Sequence, residues 1–118
     1  MLVLGHEAKG AGMGSYMFKV TYSQAGLKGI MSEGAEHRVA FIGKMAESLG
    51  GSVESFHFAF GGTDAYVICE IPDDNTAAAV AMAVGASGTG SCETVKLLKP
   101  ADVDAARAIS TGYKPPGA

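Results

Sequence analysis

Ser52-Val53-Glu54-Ser55-Phe56-His57-Phe58-Ala59-Phe60-Gly61-Gly62-Thr63-Asp64-Ala65-Tyr66-Val67-Ile68-Cys69-Glu70-Ile71 is the stretch whose reading decides the fold. It holds two runs of β-branched and aromatic residues with an alternating pattern, Ser52 to Phe60 and Ala65 to Ile71, which is how half-buried strands read. Gly61-Gly62-Thr63-Asp64 between them predicts a tight hairpin. A connection centred on Gly62-Thr63 sets Phe60 opposite Ala65, Phe58 opposite Val67 and Phe56 opposite Cys69. Opposed residues share a face. One face then carries Phe56, Phe58, Phe60, Val67, Cys69 and Ile71, and suits a layer of helices. The other carries Val53, Ser55, His57, Ala59, Tyr66, Ile68 and Glu70. Slipping the register by one residue would exchange the two sets and expose three phenylalanines, each worth roughly 1.5–3 kcal/mol when fully buried.

Upstream, Tyr16 to Tyr22 alternates in the same way and predicts a strand whose Phe18 and Val20 join the helix-side face, leaving Met17, Lys19 and Thr21 on the other. A short helical turn is expected at Leu27 to Met31. A longer helix, Ala35 to Leu49, follows from Val39, Ile42, Ala46 and Leu49 at spacings of three and four, and Gly50-Gly51 stops it. Downstream, Pro72 ends the third strand and Asp73 or Asp74 can cap a helix over Asn75 to Gly85. That helix presents Ala77, Val80, Ala81 and Val84. A fourth strand at Ser91 to Leu98 and a terminal helix from Pro100 to Ile109 complete the pattern. Residues 1–14 read as an N-terminal extension, 15–109 as one domain and 110–118 as an irregular tail. The expected class is α+β, a ferredoxin-like β-α-β-β-α-β with an additional C-terminal helix.

The chain has 118 residues, enough for one domain with a real core. Its charged content is 18% and its hydrophobic content 47%, a low charge for a dispersed monomer, so a homodimer or higher closed oligomer is expected. With a net charge of -3 and no cluster of Lys or Arg, nucleic acid is excluded as a partner. No apolar run approaches a membrane span and no signal-type segment opens the sequence, so the expected location is cytoplasmic. Cys69 and Cys92 match no metal, haem or redox spacing and read as buried thiols.

The run Glu54 to Asp64, followed by Ile71-Pro72-Asp73 and Ala83-Val84-Gly85-Ala86-Ser87-Gly88, resembles the GYD domain family. So do Tyr22-Ser23-Gln24-Ala25-Gly26-Leu27-Lys28-Gly29 and Leu97-Leu98-Lys99-Pro100. The resemblance covers about residues 16–109. Thr63 stands where the Gly-Tyr-Asp signature has its tyrosine, so any role of that hydroxyl is not carried over. The resemblance implies a dimeric α+β barrel, two sheets facing one another around a cavity. It implies no particular reaction, because the family has no established biochemical function.

His57 and Glu70 are the candidate catalytic pair. Histidine shuttles protons near neutrality and a nearby carboxylate can orient its ring. In the register above the two are diagonal neighbours on the face away from the helices. Lys19, Tyr66 and Asp64 are the ligand-binding candidates: Lys19 for an anion, Tyr66 for a hydroxyl contact, Asp64 at the mouth of the same space. Each also has a plain structural use, as an ion pair, as packing and as a turn residue respectively. No cofactor or metal is expected, since the three histidines at 6, 37 and 57 lack ligand spacing and the glycine-rich pieces do not open a helix after a strand. The expected function is binding of a small organic ligand, or an accessory role, by a homo-oligomer without established catalysis. The alternatives are a cofactor-free enzyme using His57 as acid/base and a structural or regulatory oligomer without ligand.

Overall fold

The computed structural model describes residues 13–118. The expected extension, as far as residue 12 and including His6, lies outside the described residues. Strand β1 (Gly14–Tyr22) leads through helices α1 (Gln24–Glu33) and α2 (Ala35–Ser48) to β2 (Ser52–Phe58) and β3 (Ala65–Ile71). Helix α3 (Asp74–Ser87), strand β4 (Gly90–Leu97) and helix α4 (Pro100–Arg107) follow. The strands form one antiparallel sheet in the order β2-β3-β1-β4.

The element pattern and the closed barrel both need correction. The pattern is not a clean β-α-β-β-α-β: the first crossover holds two helices, because the segment read as a turn at Leu27–Met31 is the ten-residue helix α1. Ser23 caps α1 by accepting from the Gly26 amide at 3.2 Å, a signal that starts the helix earlier than its apolar residues suggest. Nor is the sheet a barrel. It is open, with β2 and β4 as its two edges, so the dimeric α+β barrel implied by the family resemblance is not the architecture observed.

The core is built from alternate residues of the central strands: Tyr16 and Phe18 from β1, and Ala65, Val67, Cys69 and Ile71 from β3, with Ala77 of α3 above them. Asp73 caps α3 by accepting from the Thr76 amide at 2.8 Å. At the same end Tyr16 donates to Asp74, and Lys96 donates to Asp74 at 2.8 Å, tying α3 to β1 and β4. Burial is the larger cause, and the Asp74 carboxylate the second, of a Tyr16 hydroxyl that ionises less readily than usual.

The hairpin register differs from the expected one by two residues. Phe58 lies opposite Ala65, Phe56 opposite Val67 and His57 opposite Tyr66. The connection is correspondingly longer, closed by the Ala59 amide donating to the Asp64 carbonyl at 2.8 Å, and Phe60 is fully exposed rather than in the core. An even shift preserves parity, so Phe56 still faces the helices and His57 the opposite side. Between Val53 and Ser55 a β-bulge adds one unpaired residue, Glu54, and parity reverses. Val53 therefore pairs with Cys69 and packs on the core, whereas the regular strand puts it on the other face.

Gly51 makes the return from α2 into β2 feasible. A Cβ there would lie 2.0 Å from the Glu70 carbonyl oxygen, closer than any side chain tolerates.

Candidate functional site

The open face of the sheet carries the residues singled out from the sequence. His57, Tyr66, Lys19 and Glu93 form one row across all four strands, each directly opposite the next. His57 and Tyr66 are exposed, and Lys19 pairs with Glu93 at 3.5 Å. Glu70 is in a different row, opposite Ser15 on β1 and Ser52 on β2. It sits four residues along β3 from Tyr66, roughly 13 Å at about 3.3 Å per residue. It accepts from the Ser15 hydroxyl at 3.4 Å and lies 4.0 Å from the Lys99 ammonium. The structure thus brings His57, Tyr66 and Lys19 together but separates His57 from Glu70, because the two-residue register shift carries the diagonal apart. Asp64 is engaged in the hairpin: its carboxylate accepts from the Tyr22 amide at 2.9 Å and its own amide donates to the Val20 carbonyl at 2.9 Å. The same face presents Met17, Ile68 and Val95, side by side on β1, β3 and β4 and only partly exposed by virtue of their neighbours.

The helix side holds a cleft within the single chain, distinct from the space expected on the open face of the sheet. Helix α2 packs chiefly on β2 and α3 chiefly on β4, the two edge strands. Between them the middle of the sheet is left as the floor of a cleft of about 420 Å³. Phe18, Val20, Val67 and Ile71 belong to that floor, while Phe41 and Met45 of α2 and Ala79 and Ala83 of α3 belong to its walls. A volume of this size is in the range of small-molecule pockets. Small residues on α3 explain the space: Ala77 packs tightly, but the alanines at 79 and 83 reach only one carbon toward α2.

Among the described residues, the cleft lining contains no histidine, aspartate or glutamate. Its thiols are held in the neutral form: burial, with Glu54 adding to it, pushes the Cys69 thiol up to about 11, and burial also raises Cys92. Burial likewise raises the Tyr22 hydroxyl, against the pull of the Arg38 guanidinium. Arg38 is the single charged side chain along the cleft among the described residues. The helical stripe read from the sequence, headed by Val39, did not include Arg38. The signal missed is the spacing Arg38, Phe41, Ile42, Met45, Leu49, an i, i+3, i+4 stripe rotated by one position from the stripe headed by Val39.

No group of three or more His, Cys, Asp or Glu residues that could hold a metal ion occurs among the described residues. No helix among them is long and apolar enough to cross a membrane.

An open antiparallel sheet with helices over one face and an apolar cleft beneath them defines an α+β protein. The chain matches the GYD domain over residues 16–106 and belongs to that family. Neither the curated proteins nor the solved structures contain a significant match.

Proposed function

We propose that this chain binds a small, largely apolar organic molecule in the cleft between α2 and α3. The observation that carries the reading is the chemistry of the lining: about 420 Å³ bounded mainly by apolar side chains, with no histidine or carboxylate among the described residues that line it. The alternative of a cofactor-free enzyme using His57 has less support, since His57 has Tyr66 as its cross-strand neighbour and no carboxylate in the next position. The test is native mass spectrometry of gently purified protein with identification of any retained molecule, followed by thermal shift against a panel of apolar compounds. Ala83→Phe, which fills the cleft, should abolish the shift. A panel that never raises the melting temperature, or shifts that survive Ala83→Phe, would sink the proposal.

We further propose that the protein self-associates through its open sheet face, where Met17, Ile68 and Val95 form a contiguous apolar strip. Met17→Glu should lower the molar mass seen by light scattering from that of a dimer or larger assembly to that of a monomer; a monomeric parent chain refutes the idea. The two free cysteines, Cys69 and Cys92, favour a reducing cytoplasmic setting. Cell fractionation that recovers the chain outside the cytoplasm would refute that placement.

A further inference from the structure

The geometry points to an amphipathic organic acid as the occupant of the cleft, its carboxylate on Arg38 and its apolar body running toward Ile71. This inference rests on the proposed binding role and adds the ligand class to it.

The two ends of the cleft differ. At one end Ile71 and Thr76 close the space, and the Thr76 hydroxyl is already given to Asp73 at 2.7 Å. At the other end stand Tyr22, Ser87, Thr89 and Arg38. The Ser87 and Thr89 hydroxyls bond to each other at 2.6 Å, and Ser87 bonds the Val84 carbonyl at 2.7 Å. Arg38 stands beside the Tyr22 hydroxyl and the Glu33 carboxylate and is held tightly by neither. Its guanidinium rests 5.1 Å above the centre of the Phe41 ring and reaches Glu33 only at 3.9 Å, a separation beyond a hydrogen bond. A guanidinium has five donors in a planar fork, which matches a carboxylate in bidentate fashion. Stacking on Phe41 holds that fork at the mouth. Among the described lining residues Arg38 carries the one charge, which favours a ligand with one negative charge and an uncharged remainder. A cationic ligand would meet Arg38 at the mouth, its charge offset only in part by Glu33 at 3.9 Å, which lies outside the lining.

Size follows from volume. At about 30 Å³ for each water-sized group, the cleft holds a ligand of roughly 14 non-hydrogen atoms. Dodecanoate has that size and serves as the probe, with dodecan-1-ol and dodecyltrimethylammonium as neutral and cationic controls, all kept below micelle formation.

Calorimetric titration of the full chain should rank dodecanoate about tenfold tighter than the alcohol, in line with a partly exposed charge-assisted contact. The cation should be weakest. Arg38→Ala should remove the advantage of the acid while leaving the alcohol within about twofold of its parent affinity, and Arg38→Lys should restore part of it. Alcohol and acid binding equally to the parent protein, or an acid preference that persists in Arg38→Ala, overturns the inference about charge but leaves the cleft as a binding site. That first comparison needs no variant, so it decides even if Arg38→Ala fails to fold. Binding of none of the three, or binding unchanged by Ala83→Phe, defeats the cleft reading itself.

Discussion

Exchanging two adjacent residues tests the β-bulge with a change of sign. In the bulged strand Val53 pairs with Cys69 beneath the helices, and Ser52 pairs with Glu70 on the open face. The double variant Ser52→Val/Val53→Ser keeps the composition and moves the valine off the core. Val53 is partly buried, so about half of the roughly 1.5 kcal/mol expected for a fully buried valine is lost. Placing a serine hydroxyl against the apolar core adds about 1 kcal/mol if it finds no partner. The sum is roughly 1.5–2 kcal/mol, and at about 4 °C per kcal/mol for a chain of this size the melting temperature should fall by about 6–8 °C. Urea unfolding followed by circular dichroism reads the same quantity at constant temperature. A regular strand without the extra residue would put Ser52 beneath the helices and Val53 outside. The exchange would then stabilise the protein. A rise in melting temperature, or no change, refutes the bulge at Glu54 and the packing of Val53 derived from it.

Two glycines should respond to alanine in opposite directions. Gly51→Ala should cost about 1–3 kcal/mol because its Cβ meets the Glu70 carbonyl, whereas Gly43→Ala, inside α2 with nothing within 4 Å, should gain about 0.5–1 kcal/mol in the same unfolding assay. Asp73 is held below its usual pKa by the Thr76 hydroxyl and amide, and Asp74 by hydrogen bonds from Lys96 and Tyr16. Depressed folded-state values mean that both contribute stability above the unfolded carboxylate value of about 3.9, lost as pH falls through the folded values. Asp73→Asn/Asp74→Asn should therefore flatten the acid limb of a melting-temperature profile; an unchanged slope argues against these contacts. With its thiol pushed up to about 11, Cys69 should resist iodoacetamide at pH near 8 (native) and react in urea. Prompt labelling of Cys69 in the native protein, read by peptide mapping, would contradict its burial.

Parity was the most legible part of the fold, because Tyr16, Phe18, Val67, Cys69 and Ile71 alternate without interruption and hydrophobic burial enforces a period of two. The element order was nearly as clear, apart from α1, whose Gly26 and Gly29 argued against a helix and hid ten helical residues behind a Ser23 cap. The bulge was not legible. Glu54 is compatible with any exposed strand position, and nothing local marks it as the residue left out of the ladder. Register suffered for a related reason: Gly61-Gly62 permits a tight turn, but the stitching of Asp64 to Tyr22 and Val20 draws the loop wider. That long-range tie depends on where β1 lies. The candidate pair His57 and Glu70 depended wholly on register and separated with it. The cleft was out of reach for another reason. The sequence shows small residues on α3 but not that α2 and α3 settle over opposite edge strands, which is a matter of packing between distant segments.

The segment beyond β4 has its own consequence for how the molecule melts. Every residue from 98 to 118 is exposed, including Val103 of α4 and Tyr113, so α4 buries no face against the described residues. An unsupported helix of eight residues, even with Pro100 at its start and Asp102 accepting from the Lys99 amide at 3.0 Å, is close to the coil transition in water. The sheet and α4 therefore belong to different cooperative units. Hydrogen exchange should divide the backbone into two tiers, with amides of β1 and β3 opening only in global unfolding and those of α4 exchanging through local fraying. On heating, the helical signal should drift gradually well before the sheet gives way.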